Sequence, residues 1–225
     1  MKTFKVLGLL LSYPETAWVA HLDECEQLLR RENVLPGKQL SAVLEYIAEL
    51  KQADIYALQE DYVATFDRGR SHCLHLFEHI HGDSRDRGQA MVNLAAAYEK
   101  KGLYVGHGEL PDYLPLFLEF LSMCPADEAL ALLCEPIDII AAVGARLKRG
   151  SSRYAPLFGA LVALSKIKPD SDRIRKVLDE DPEDDSLEAL DKEWEEAAAF
   201  GNPPDQAGCG GCESRPGDLN VSIVQ

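Results

Sequence analysis

Leu114-Pro115-Leu116-Phe117-Leu118-Glu119-Phe120-Leu121 is the stretch that decides the fold. Leu114, Phe117, Leu118 and Leu121 repeat at helical spacing, while Leu116 and Phe120 place apolar groups off that stripe. A helix that is apolar on nearly all sides is one surrounded by other helices, so this segment is predicted to be central and buried. The neighbours must then be amphipathic, and the stripes on either side fit. Upstream are Leu40, Val43, Leu44, Ile47 and Leu50, then Ile55, Leu58, Tyr62 and Phe66, then Met91, Leu94, Ala95 and Tyr98. Downstream are Tyr154, Leu157, Phe158 and Leu161. Asp83 or Ser84 suits the N-cap of the helix ending near Lys101, and Gly102 suits its C′ position. Pro136 interrupts a helical run at a cost of about 3 kcal/mol, which predicts separate helices over Ala126 to Cys134 and Ile137 to Lys148. No segment alternates with period two, so the fold class is all-α: one compact, bundle-like domain of many helices with a C-terminal tail.

Charge and composition set the organisation. The chain has 225 residues and a net charge of −15. Residues 170–205 hold 14 acidic and 4 basic side chains. The break divides the chain into a helical domain over 1–169 and an acidic, partly disordered tail over 170–225. Leu187, Leu190 and Trp194 leave room in that tail for one amphipathic helix, and the end from Gly201 is rich in Gly and Pro. The acidic stretch reads as solubilising, with a contact surface for a basic segment as the alternative. Such a chain repels phosphate backbones and anionic lipid, so neither nucleic acid nor a membrane is expected as partner. No apolar run approaches the roughly 18–20 residues of a span. Lys2, Lys5 and the run from Val6 to Leu11 imitate a secretory signal, but Pro14-Glu15 follows at once. The run is therefore expected to be a first helix facing the core. With no convincing export signal, the six cysteines are expected to be free thiols in a cytoplasmic protein.

The densest chemistry lies in His72-Cys73-Leu74-His75-Leu76-Phe77-Glu78-His79-Ile80-His81. His75 and His79 are one helical turn apart, and His75 to His79 matches the H-x-x-E-H pattern of zinc peptidases, with Glu78 as general base. A catalytic zinc needs a third ligand, and none can be picked out. The alternative is a helix with polar histidines at the surface or capping a loop. Cys209-Gly210-Gly211-Cys212 has metal or redox spacing but lacks the second pair of a four-thiolate site. Arg87 lies along the Met91 stripe and is expected to meet a carboxylate, Asp112 or Glu109. No phosphate-binding loop, dinucleotide fingerprint or nucleophile elbow is present. The residues by themselves describe an acidic all-helical domain with no visible catalytic machinery.

Longer blocks carry a resemblance. Leu74 through Met91, which holds His75, Phe77, Glu78, His79, Gly82, Asp83, Arg85, Asp86 and Arg87, closely resembles the signature of the nitrate reductase delta subunit, or NarJ, family. Leu10-Leu11-Ser12-Tyr13-Pro14, Tyr62 to Asp67 and Glu109 to Pro115 fit the same pattern, and the likeness covers about residues 3–168. The Glu-Leu-Pro-Asp-Tyr segment is similar to the wider class of redox-enzyme maturation chaperones that includes TorD and DmsD. The resemblance implies a cytoplasmic, system-specific chaperone with no catalytic residues, no obligate metal and no cofactor of its own. Its implied client is the N-terminal segment of the apo nitrate reductase catalytic (alpha) subunit, held for molybdenum cofactor insertion, with cofactor biosynthesis proteins as further partners. It also implies that the zinc-dependent hydrolase is the weaker alternative. Tyr62, Phe66, Arg87, Met91, Tyr98, Glu109, Asp112, Tyr113 and Phe117 are expected to line one client-binding surface.

Overall fold

The computed structural model describes residues 1–68, 70–81, 85–106 and 108–179. Helices α1 (Lys2–Leu10), α2 (Thr16–Val19), α3 (Leu22–Glu32), α4 (Gly37–Gln52) and α5 (Ile55–Tyr62) come first. A π-helical turn (Val63–Asp67) and a 3-10 turn (Arg70–His72) lead to α6 (Glu78–His81) and α7 (Arg85–Glu99). The chain continues through α8 (Leu114–Met123), α9 (Ala126–Cys134), α10 (Ile137–Arg149), α11 (Ala155–Ser165) and α12 (Ser171–Asp179). Among the described residues no strand forms, and the fold is all-α. The proposed caps at Asp83 and Ser84, the segment through Leu187, Leu190 and Trp194, and the Cys209/Cys212 pair lie outside the described residues.

Helix α8 is the centre the sequence predicts. Leu114, Phe117, Leu118, Phe120 and Leu121 are buried, whereas Leu116 and Glu119 are only half-buried. Helix α1 lies along it and buries Phe4, Leu7, Leu10 and Leu11. Gly8 makes this approach possible, since a Cβ there would stand 2.9 Å from the Pro115 carbonyl oxygen and 3.2 Å from Leu118 Cβ. The apolar run near the chain start is thus core. Both ends of α1 find long-range partners for backbone groups the helix leaves unpaired. Glu32, at the end of α3, accepts from the Lys2 and Thr3 amides at 2.8 and 2.7 Å and from the Thr3 hydroxyl at 2.7 Å. At the other end, Tyr46 donates to the Leu10 carbonyl at 3.5 Å and Tyr62 to the Leu11 carbonyl at 3.2 Å.

Pro136 separates α9 from α10 as the proline argument requires. Gly102, at φ +77°, closes α7, and the Leu103 and Gly102 amides return to the Tyr98 and Glu99 carbonyls. This is the left-handed glycine stop in which the residue beyond the glycine also bonds backward. The α7 stripe is less buried than its pattern predicts: Tyr98 is fully enclosed, while Met91, Leu94 and Ala95 are half-buried. Helix α12 follows the boundary drawn at Pro169 and packs along α10. There the Asp138 carboxylate accepts from the Asp170 amide at 2.8 Å and from Arg173 at 3.4 Å.

Candidate functional site

Two segments far apart in sequence are clamped together beside the start of α8. The Leu76 amide donates to the Asp112 carbonyl at 3.1 Å and the Leu114 amide to the Leu74 carbonyl at 2.9 Å, an antiparallel bridge that sets His75 opposite Tyr113. Leu74 and Leu76 are buried by this strap. Asp112, at 0 % exposure, locks it: its carboxylate accepts from the Phe77 amide at 3.0 Å and from His75 Nδ1 at 3.3 Å. Burial pushes the Asp112 pKa up, but the His75 and Phe77 hydrogen bonds more than offset this and hold it below the ordinary range. The hydrogen bond to Asp112 raises the His75 pKa against the opposing effect of burial. The His75 ring also lies 5.4 Å from that of Tyr113.

The rest of the strap is closed in the same manner. His79 Nε2 donates to the Cys73 carbonyl at 2.8 Å. Arg87 donates to Glu78 at 3.1 Å, and Arg146, which is 9 % exposed on α10, donates to the Ser71 carbonyl at 2.8 Å. Burial, helped by the hydrogen bond to Glu78, pushes the Cys73 thiol up to about 12, so it stays protonated and is no nucleophile. Glu78 is raised by burial and lowered more strongly by Cys73 and Arg87, with a net fall. Helix α6 begins only at Glu78, so His75 does not share a helical face with His79. The two imidazoles bond to different partners, and no set of three or more His, Cys, Asp or Glu side chains among the described residues could hold a metal. The geometry gives the zinc hydrolase reading no support.

Above the clamp, a cavity of about 470 Å³ opens to solvent between α1 and α8. Lys5, Gly8, Leu9 and Ser12 form the α1 wall. Tyr113, Pro115, Leu116 and Glu119 form the other wall, with Glu109 beside them. Leu9 and Leu116 are half-buried apolar groups packed on the core, and Lys5 pairs with Glu119 at 3.1 Å. The chemistry on offer is an apolar trough with carboxylates at its edge. It suits binding and contains no acid–base or nucleophilic constellation.

Comparison with known proteins gives the chain its family. Residues 35–160 match the family described as nitrate reductase delta subunit. Over 191 residues, 85 % of this chain and 81 % of the relative, the sequence is 41 % identical to the nitrate reductase molybdenum cofactor assembly chaperone NarJ of Escherichia coli K12. It is 40 % identical over 196 residues, 87 % of this chain and 82 % of the relative, to the probable assembly chaperone NarW of the same strain. A probable NarJ of Bacillus subtilis is 32 % identical over 162 residues, 72 % of this chain and 86 % of that one. The chain belongs to the nitrate reductase delta subunit family. That is a family of NarJ-type molybdenum cofactor assembly chaperones, a non-enzymatic role.

Of the blocks on which the delta-subunit resemblance rests, residues 74–79 form the strap and residues 112–114 its clamp. His75, Phe77, Glu78 and His79 form the strap; Arg85 and Asp86 open α7; Gly82 and Asp83 lie outside the described residues. The expected partner of Arg87 is corrected: the guanidinium bonds to Glu78, and Asp112 is occupied by His75 and Phe77. Of the residues expected on a client surface, Tyr62, Phe66, Tyr98, Asp112 and Phe117 are interior. Tyr98 donates to the Pro111 carbonyl at 2.7 Å, and the Phe66 ring lies 4.7 Å from that of Tyr154. Met91 stays half-buried on α7. Glu109 and Tyr113 reach the trough. The α1 wall carries no signal in the run from Val6 to Leu11, which reads as core throughout; Leu116, off the α8 stripe, is the one trough residue that its spacing marks.

Proposed function

We propose that this delta-subunit family member is a cytoplasmic, system-specific chaperone for nitrate reductase assembly. In this reading it binds the N-terminal segment of the apo catalytic subunit and holds it while the molybdenum cofactor, delivered by its biosynthesis proteins, is inserted. The observation that supports this is the trough between α1 and α8, with Leu9 and Leu116 on its two walls, the Glu109 carboxylate beside them, and Glu119 paired with Lys5. An amphipathic helix laid in such a trough buries its apolar face and meets carboxylates with its basic residues. The chain's net charge of −15 speeds encounter with a basic segment.

Calorimetric titration with a synthetic N-terminal peptide of the catalytic subunit tests the proposal. Leu116→Arg is expected to abolish the heat of binding. Glu109→Lys is expected to weaken binding most at low salt and less as salt rises, because exposed charges are screened over about 8–10 Å. A peptide that ignores the wild-type protein would refute the client assignment. Binding that survives both substitutions unchanged would refute the trough.

A further inference from the structure

The trough's two walls meet at one buried hydroxyl. Leu11, at the end of α1, presents a carbonyl that can only accept, so Tyr62 spends its single proton there, at 3.2 Å. The Tyr113 hydroxyl, 2.9 Å away, must then donate to the Tyr62 oxygen. Tyr62 is 4 % exposed and lies at the end of α5, just before the π-helical turn; it does not line the trough. Its ring is fixed by Tyr13, Phe66 and Tyr154, with centroids 5.6, 5.0 and 6.2 Å away. Tyr113 does line the trough, and its backbone carries the bridge to the strap. A single oxygen thus ties the end of the α1 wall to the start of the α8 wall.

We infer that Tyr62 is a positioning residue for client binding: it sets the Tyr113 ring and the spacing of the two walls without touching the client. The inference rests on the trough being the client site. Tyr46 supplies a built-in control. It also donates a hydroxyl to the end of α1, at the Leu10 carbonyl, but reaches Tyr113 only through the rings of Tyr154 and Tyr62. A merely structural role for such hydroxyls makes Tyr46→Phe and Tyr62→Phe alike. A positioning role separates them.

The test is peptide titration into wild type, Tyr62→Phe, Tyr113→Phe, the double variant and Tyr46→Phe, with thermal melts alongside. Tyr62→Phe keeps the ring and is expected to weaken affinity per folded molecule by about five- to tenfold, the worth of one neutral hydrogen bond. In the Tyr113→Phe background the same change should add less than about twofold, since residues acting through one contact are not additive. Tyr46→Phe should lower the melting temperature and leave affinity unchanged. Wild-type affinity in Tyr62→Phe, or an equal loss in Tyr46→Phe, overturns the inference. Should the wild-type protein fail to bind the peptide, the client reading falls, and the ligand-free protein still decides the positioning. There the NMR signals of the Tyr113 ring and the Leu116 methyls should shift in Tyr62→Phe and not in Tyr46→Phe, and unmoved signals overturn it.

Discussion

Replacing Asp112 by alanine should loosen the strap before it affects any other part of the molecule. The carboxylate is fully buried and accepts two hydrogen bonds, from the Phe77 amide at 3.0 Å and His75 Nδ1 at 3.3 Å. A hydrogen bond to a charged group contributes about 1.5–3 kcal/mol, and leaving a buried donor unpaired costs about 1–3 kcal/mol. The His75 side chain is 30 % exposed and regains water, so its share is discounted. The expected loss is about 2–4 kcal/mol. At roughly 2–4 °C per kcal/mol for a chain of this size, the melting temperature should fall by about 5–15 °C. Asp112→Asn keeps an acceptor for the Phe77 amide and should lose about half as much. Scanning calorimetry measures the totals, and hydrogen exchange should show the amides of Leu76 and Phe77 exchanging faster than those of α10. A double-mutant cycle should couple Asp112 to His75 more strongly than to Arg87, whose guanidinium bonds to Glu78. A melting temperature within about 2 °C of wild type for Asp112→Ala, or stronger coupling to Arg87, would refute the clamp.

Other expectations follow from the same contacts. The raised pKa of His75 means its stabilisation is complete below its ordinary value of 6.5 and is lost as pH rises through the higher folded value. The lowered pKa of Asp112 means its stabilisation is complete above 3.8 and is lost as pH falls through the lower folded value. Stability should therefore be greatest between these limits, and His75→Gln should flatten the alkaline decline in melts run across pH. Gly8→Ala gains about 0.8–1 kcal/mol of helix propensity, yet its methyl meets the Pro115 carbonyl at 2.9 Å. Overpacking costs about 1–3 kcal/mol, so the melting temperature should fall, and a rise would show that α1 shifts freely on α8. Ending the chain at Pro169 removes α12, whose Ile174 and Leu178 are only half-buried. Circular dichroism should still show one cooperative melt, a few degrees lower, and loss of cooperativity would make α12 part of the core unit.

The sequence alone carried the helical content, because apolar spacing and proline and glycine stops are local. The break at Pro136, the glycine stop at Gly102 and the central place of Leu114 to Leu121 all come from residues within a turn or two of one another. It also carried the family, through blocks long enough to be specific. The anchoring of the strap beside α8 depends on pairings across 30 or more residues, for which local spacing has no signal. Asp112 draws the Phe77 amide from 35 residues away. The strap's backbone bonds go to the segment before α8, so residues 73–77 leave the helical state that the His75/His79 spacing suggests. Only the tertiary packing decides that Tyr62 and Phe117 lie inside while Leu9 and Leu116 remain on the walls of an open trough. Helical periodicity states which residues share a face. Which flank of that face stays uncovered depends on how closely the neighbouring helix approaches, and the missing side chain of Gly8 permits that approach.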